Sequence, residues 1–277
     1  MPVTPPQGIY HACFGLSYLV ALLLEVGLLL RPSSAWRWGA LAFGVAGLFA
    51  HTVYVVVNRP TPAAPDGSLL LLAWVLALFY LYGTVHYAKQ AWAVFVLPLV
   101  VLLVGLSYVL FASGEEAAGF SIPAWASGER FWGVVHGSLI MLAAVGVSVG
   151  FLASVMYLIQ ARRLRKKMNP GRIVPMLSLE RLETMNRRAL NLAFPLLTVG
   201  LLVGTVLLRH GHDALDNWLS PKILTTAGLW VVFLVLVYLR YGAHVPPRRL
   251  ALLSIFAFAL MIVALTTAHP FAVGGGS

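Results

Sequence analysis

The chain has 277 residues, of which 60% are hydrophobic and only 10% are charged. Soluble domains carry about 25% charged residues, so a water-soluble globule is excluded and most of the chain is expected to lie in a bilayer. The net charge of +10 raises nucleic acid as a partner. The basic residues, however, collect in short connections on one side, as membrane orientation requires, and no nucleic-acid partner is expected.

A spanning helix needs about 20 predominantly apolar residues. Eight segments qualify, at about 8–30, 36–57, 68–88, 91–111, 130–160, 190–208, 222–241 and 249–270. They define an all-α polytopic protein with eight transmembrane helices and a single membrane domain over 1–270, with membrane lipid as its surroundings. Polar and Pro/Gly punctuation such as RPSSAW, NRPTPAAPDGS and YGAHVPPRR separates most of the spans.

The N-terminal MPVTPPQGIYHACFGLSYLV has no basic start of a cleavable signal. The first span is therefore expected to stay in place. It contains the one cysteine, Cys13, which excludes a disulfide framework and any cysteine-based zinc or iron–sulfur site. Cys13 reads as lipid-facing or as core filler. Glu25 sits deep in the same span, in LLLEVGLLL, and His51 sits within the second, in GLFAHTVYV. Polar groups inside a span are expensive and mark functional hypotheses. His51 is a candidate for a second, deeper ligand site or for a relay with Glu25. Glu25 is expected to be protonated, or paired with His51 or a hydroxyl. His86 and His244 read as interfacial.

The fifth segment exceeds what a bilayer requires, so it is expected to tilt or project into water. A basic cytoplasmic loop follows at 161–189. Its first part, ARRLRKKMNPG, extends the fifth helix. From Ser178, Leu179, Leu182 and Met185 recur at helical spacing between charges. An amphipathic segment lying on the membrane surface fits this pattern. Such a segment either anchors to anionic lipid or docks a cytoplasmic partner.

Between spans six and seven runs HGHDALDNWLSPKIL, residues 210–224. Asp213 and Asp216 read as solvated loop charges. No nucleotide loop, HExxH or Ser/His/Asp pattern occurs in a plausible context, and the chain is not expected to be an enzyme. The final GGGS at 274–277 resembles a cloning scar and is set aside.

The lysines and arginines fix the orientation. Fifteen fall in one set of connections, among them Arg162, Arg163, Arg165, Lys166 and Lys167, against four (Arg59, Arg130, Arg209 and Lys222) in the other. The positive-inside rule places the basic loops in the cytoplasm and both termini outside.

On that topology His136, in ERFWGVVHGSLIM, and His269, in ALTTAHPF, share a similar depth on the outer side. Two neutral imidazoles on separate helices can clamp a haem iron from opposite faces. Trp218 would supply an apolar floor, and Arg209, Lys222, His210 and His212 donors for the propionates. Each membrane histidine also reads as a helix–helix hydrogen-bonder, so the residues alone leave both roles open.

FWGVVHGSLIMLAAVGVSVGFLASVMYLIQARRLRKK, followed by MLSLERLETMNRRALNLAFPLLTVGLLVGTV, resembles the cytochrome c assembly (CcsA-type) haem-handling family, closest in style to its HemX/YpjD branch. The resemblance covers about residues 130–270. That family carries a tryptophan-rich outer loop ending in a WDPKE-like sequence between two extracytoplasmic histidines. In DNWLSPKIL, Trp218, Pro221 and Lys222 match, whereas Ser220 and Ile223 stand where acidic residues belong.

The resemblance implies haem b as cargo, with His136 and His269 as its ligands, and cytochrome c assembly partners in a bacterial inner (cytoplasmic) membrane. The departures in the loop leave binding, storage, export or sensing open. HemX-like proteins are also associated with control of glutamyl-tRNA reductase, for which Arg162–Arg188 would be the working surface. A third reading, from Glu25 and His51, is a proton-coupled small-solute transporter, against which stands the lack of an internal repeat or of paired broken helices.

Overall fold

The computed structural model describes residues 7–31, 33–60, 62, 64–86, 92–112, 128–166, 176–210, 221–243 and 245–267, with the backbone alone described at 7–10, 111–112, 128–130, 208–210 and 222. The described residues form eight helices and no strand: α1 (Gln7–Leu30), α2 (Ser34–Asn58), α3 (Pro65–His86), α4 (Ala93–Ala112), α5 (Gly128–Arg165), α6 (Leu179–His210), α7 (Pro221–Tyr241) and α8 (Pro247–Thr266). Each is long and apolar enough to cross a membrane. In hydrocarbon the backbone must be satisfied within the protein, and a helix does so segment by segment through its own i→i−4 ladder.

The helices fall into two compact units, α1–α4 and α5–α8. In the first, α1 packs antiparallel on α2 and on α4. His11 meets Tyr54 near one end, and Leu24 reaches Gly39 near the other. α3 joins α2 through the Trp74 indole N–H, which donates to Thr52 Oγ1 at 3.0 Å. Ser107 of α4 donates to the carbonyl of Asp66 on α3 at 2.8 Å, and Phe79 meets Trp92 edge-on.

In the second unit α5 packs on α6 and α8, and α7 on α6 and α8. The α5–α6 register is that of a straight antiparallel pair: His136 faces Gly204, Ile140 faces Gly200, and Gly146 faces Ala193. Small residues at these crossings let the backbones approach, which is how membrane helices gain contact without a hydrophobic driving force. Phe151 and Phe258 stack at 4.1 Å between α5 and α8. On α7, the Trp230 indole donates to Thr198 Oγ1 of α6 at 3.0 Å. Both threonines in these Trp–Thr bonds also donate back to their own helix, Thr52 to the Leu48 carbonyl and Thr198 to that of Phe194.

The amphipathic stretch that reads in the sequence as a surface-lying helix is continuous with span six. Ser178 starts α6, its hydroxyl accepting from the Arg181 N–H at 3.4 Å. No breaker separates LERLETMNRRALN from the apolar run that follows. Leu182 is fully buried, so the stretch packs its apolar side on protein. α5 likewise continues to Arg165, as its basic extension suggests.

Asn186 anchors this part of α6. Its Nδ2 lies 3.0 Å from the Gly150 carbonyl, 2.9 Å from Ser154 Oγ and 3.1 Å from Ser254 Oγ, tying α6 to α5 and α8. Both serines donate their own protons to carbonyls one turn back, so they stay satisfied without it. Replacing Asn186 by leucine therefore loses the inter-helix bonds but orphans no partner. The expected cost is about 1–2 kcal/mol, read as a lower unfolding midpoint in detergent. An unchanged midpoint would show that the bonds add nothing to packing.

Candidate functional site

His136 lies two turns from the start of α5. Its Nδ1 is 2.7 Å from the carbonyl oxygen of Gly200 on α6. A carbonyl can only accept, so Nδ1 carries the proton and, in the neutral ring, Nε2 carries the lone pair. Gly204, one turn on from Gly200, makes room for the imidazole: a Cβ there would fall 2.8 Å from Cε1 of His136 and 3.0 Å from Nδ1. The GLLVG stretch of α6 is thus a notch that fits the ring, and its first glycine supplies the acceptor. Metal-binding histidines are held this way, with one ring nitrogen tied to a carbonyl and the other available as ligand. The half-buried His136 has the first of these features, its Nδ1 tied to the Gly200 carbonyl.

Around it the surface is aromatic. Phe131 and Trp132 are about half exposed on α5 and meet edge-on at 5.6 Å. Trp132 lies one turn from His136 on the same face of the helix. A flat, apolar macrocycle would find matching surface here, and the histidine a suitable nitrogen.

Because α5–α8 run alternately up and down, the start of α5, the end of α6, the start of α7 and the end of α8 share one end of the unit. Arg209 and His210 occupy the last turn of α6, and Lys222 the first turn of α7. Their backbones therefore stand at the His136 end, and their side chains lie outside the described residues. His212 and Trp218 belong to 211–220, which connects α6 to α7, and His269 follows α8; all three lie outside the described residues. Of the eight residues singled out for a ligand site, His136 and His51 are described with their side chains.

His51 is in the other unit. It is fully buried on α2 and stacks on Phe14 at 4.3 Å, with the rings nearly parallel. Its Nδ1 pairs with the Tyr18 hydroxyl at 3.3 Å. Its partner is thus a tyrosine, where Glu25 was one expectation. Nε2 is buried without a hydrogen bond among the described residues, although the Leu70 backbone lies beside it. Cys13 is exposed, consistent with a lipid-facing position. Among the described residues no group of three His, Cys, Asp or Glu side chains is placed to hold a metal ion.

The notch was missed in the sequence. Its signal was present, since G-x-x-x-G within an apolar helix marks a close crossing. What a single sequence does not show is that the crossing partner is a histidine. Gly204→Ala is expected to force the ring off the Gly200 carbonyl. The 15N spectrum of the His136 ring should then lose its Nδ1–H tautomer signature. An unchanged spectrum would mean that the notch does not hold the ring.

Residues 65–267 match the family model described as Cytochrome C assembly protein. The match begins at α3, ahead of the stretch from 130 on which the resemblance rests. Three relatives are each described as "Cytochrome c biogenesis protein CcsA". That of Prochlorococcus marinus (strain MIT 9312) is 25% identical over 228 residues, covering 75% of this chain and 72% of that protein. That of Guillardia theta is 26% identical over 212 residues, covering 70% and 68%. That of Porphyra purpurea is 22% identical over 281 residues, covering 89% and 81%. No solved structure matches the chain.

Proposed function

The chain belongs to the cytochrome c assembly protein family and is a multi-pass membrane protein, and from that premise we propose that it handles haem b for cytochrome c maturation at the end of the α5–α8 unit where His136 lies. The observation that carries this reading is the tied imidazole. The bond to Gly200 at 2.7 Å fixes the tautomer that presents Nε2 as the ligand atom.

Each part of the site has a role set by its chemistry. His136 and His269, the latter three residues past the end of α8, would hold the haem iron through their ring nitrogens. Two imidazoles would supply the nitrogen ligands that haem iron takes. Trp132 and Trp218 offer aromatic surface for the macrocycle. Arg209 and Lys222, at the ends of α6 and α7, are the cations suited to its propionates. The charge asymmetry of the loops supports an extracytoplasmic position for this end, and in a bacterium a site on the outer side of the cytoplasmic membrane.

We read the protein as a carrier, with no bond-making step of its own. Ser220 and Ile223 replace acidic residues of the family's loop, and no nucleophile or general-base cluster accompanies His136 among the described residues. Relatives named for cytochrome c biogenesis support assembly partners on the same side.

The test is an optical spectrum of the detergent-purified protein after haem addition, oxidised and reduced. Split, sharp visible bands in the reduced form are expected. His136→Ala and His269→Ala should each abolish the six-coordinate spectrum and weaken haem binding at least about tenfold. No Soret band on loading, or spectra unchanged in both variants, would end this reading.

A further inference from the structure

At the end of the α5–α8 unit opposite His136, the four helices stop at different levels. Ser154 of α5 and Asn186 of α6 line a crevice together with Arg240, in the last turn of α7, and Pro247, which starts α8. From that crevice α5 runs on to Arg165, about 16 Å further, and α6 begins about 10 Å further out, at Leu179. The α5–α6 pair thus projects past α7 and α8, and the crevice lies in the corner at its foot.

α7 and α8 set the depth of that corner. Their apolar spans, Ile223–Tyr241 and Pro247–Thr266, are each about as long as a bilayer requires. Tyr238 and Tyr241 are exposed on either side of Arg240 in the chain, and exposed tyrosines at the end of a span sit at the level of the lipid headgroups. The corner therefore lies where lipid phosphates lie. It is also cationic: α5 brings Arg163, α6 Arg187, α7 Arg240, and α8 Arg248 and Arg249. Among the described residues at this end the carboxylates are Glu180 and Glu183.

Arg240 distinguishes the corner from a basic rim. It is half-buried between helices. Its Nη1 is buried and makes no hydrogen bond among the described residues. Glu183 lines the same crevice but makes no hydrogen bond to that nitrogen. A donor held in protein without a hydrogen bond costs free energy, and orientation in a membrane needs only exposed cations. The crevice holds about 10 Å³, room for one water and too little for a phosphate. A phosphate meets the guanidinium across the mouth instead. There the planar fork of N–H groups suits two oxygens of one phosphate.

We propose that this corner binds the phosphodiester of an anionic phospholipid, with Arg240 as the bidentate contact and Arg248, next to the crevice-lining Pro247, as a second cation. A lipid suits the corner better than a soluble anion because apolar side chains run from it into the bilayer. Leu234 and Val235 are exposed on α7, and Leu252 on α8. A zwitterionic lipid offers the same phosphate but brings an ammonium group among the arginines, so a net negative headgroup is preferred. The site uses none of the residues of the haem reading and lies at the other end of the unit.

The full chain in detergent, without haem, is titrated with phosphatidylglycerol, and bound lipid is counted by native mass spectrometry. Phosphatidylglycerol is expected to bind at least about tenfold more tightly than phosphatidylcholine, and inorganic phosphate should not displace it. Arg240→Gln should weaken the tightest phosphatidylglycerol site at least about tenfold, the order lost with a charge-assisted contact. Arg240→Lys keeps the charge, removes the fork and should weaken that site severalfold. Arg165→Gln removes the same charge from the exposed tip of α5 and should cost less than about twofold. Equal affinity for the two lipids overturns the proposal, as does displacement by inorganic phosphate. Equal losses in Arg240→Gln and Arg165→Gln overturn it too, because the lipid would then respond to overall charge alone. Should Arg240→Gln fail to fold, the exposed Arg248→Gln decides: a severalfold loss supports the site and unchanged binding refutes it. Failure of haem loading leaves this site untouched.

Discussion

A polar side chain inside hydrocarbon must find its partner on a neighbouring helix, and helices come close only where small residues let them. The described residues of this protein repeat that solution. Gly200 and Gly204 admit His136. Gly150 and Ser154 of α5 and Ser254 of α8 surround the Asn186 Nδ2 of α6. Gly44 and Gly47 make space for Tyr80 and Tyr18, which brings a hydroxyl to His51. Close approach and polar pairing are one feature here. A side chain at Gly204 would displace the His136 ring, and one at Gly44 the Tyr80 ring.

The haem reading depends on the same constraint. An imidazole on a lipid-facing helix swings between rotamers and tautomers. Held in a glycine notch and tied through Nδ1, it presents one nitrogen in one direction, which is the preorganisation that a ligand site needs. Asn186, about five turns from Gly204 on α6, ties the same two helices together through Gly150 and Ser154 of α5. Its bonds set the register that brings Gly200 opposite Ile140 and Gly204 opposite His136.

Much of the architecture was legible in the sequence, because bilayer thickness fixes the length of an apolar run. Eight runs gave eight helices, and the long fifth run emerged as the 38 residues of α5. The start of α6 was harder to read. LERLETMNRRALN is amphipathic, and amphipathicity alone does not tell a helix face that meets lipid headgroups from one that meets protein. The buried Leu182 and Asn186 settle it for α6. For the site, His136 and His51 stood out because histidine is costly in a span. Their partners did not. Glycine carries no chemical signal for a histidine on the preceding helix, and Tyr18 reads as one more aromatic in an apolar run. Glu25 looked like the natural partner of His51, yet the group that pairs with its Nδ1 is the Tyr18 hydroxyl.

The central claim is that His136 is a haem ligand held in place by α6, and chemical rescue tests it most directly. His136→Gly removes the imidazole and leaves a gap of its shape beside Gly204. Added imidazole, titrated into the haem-loaded variant, should restore the six-coordinate reduced spectrum of the unsubstituted protein, whereas the same imidazole should leave the spectrum of the unsubstituted protein unchanged. A variant that already shows the six-coordinate spectrum without imidazole would contradict the claim, because haem would then be held by other ligands.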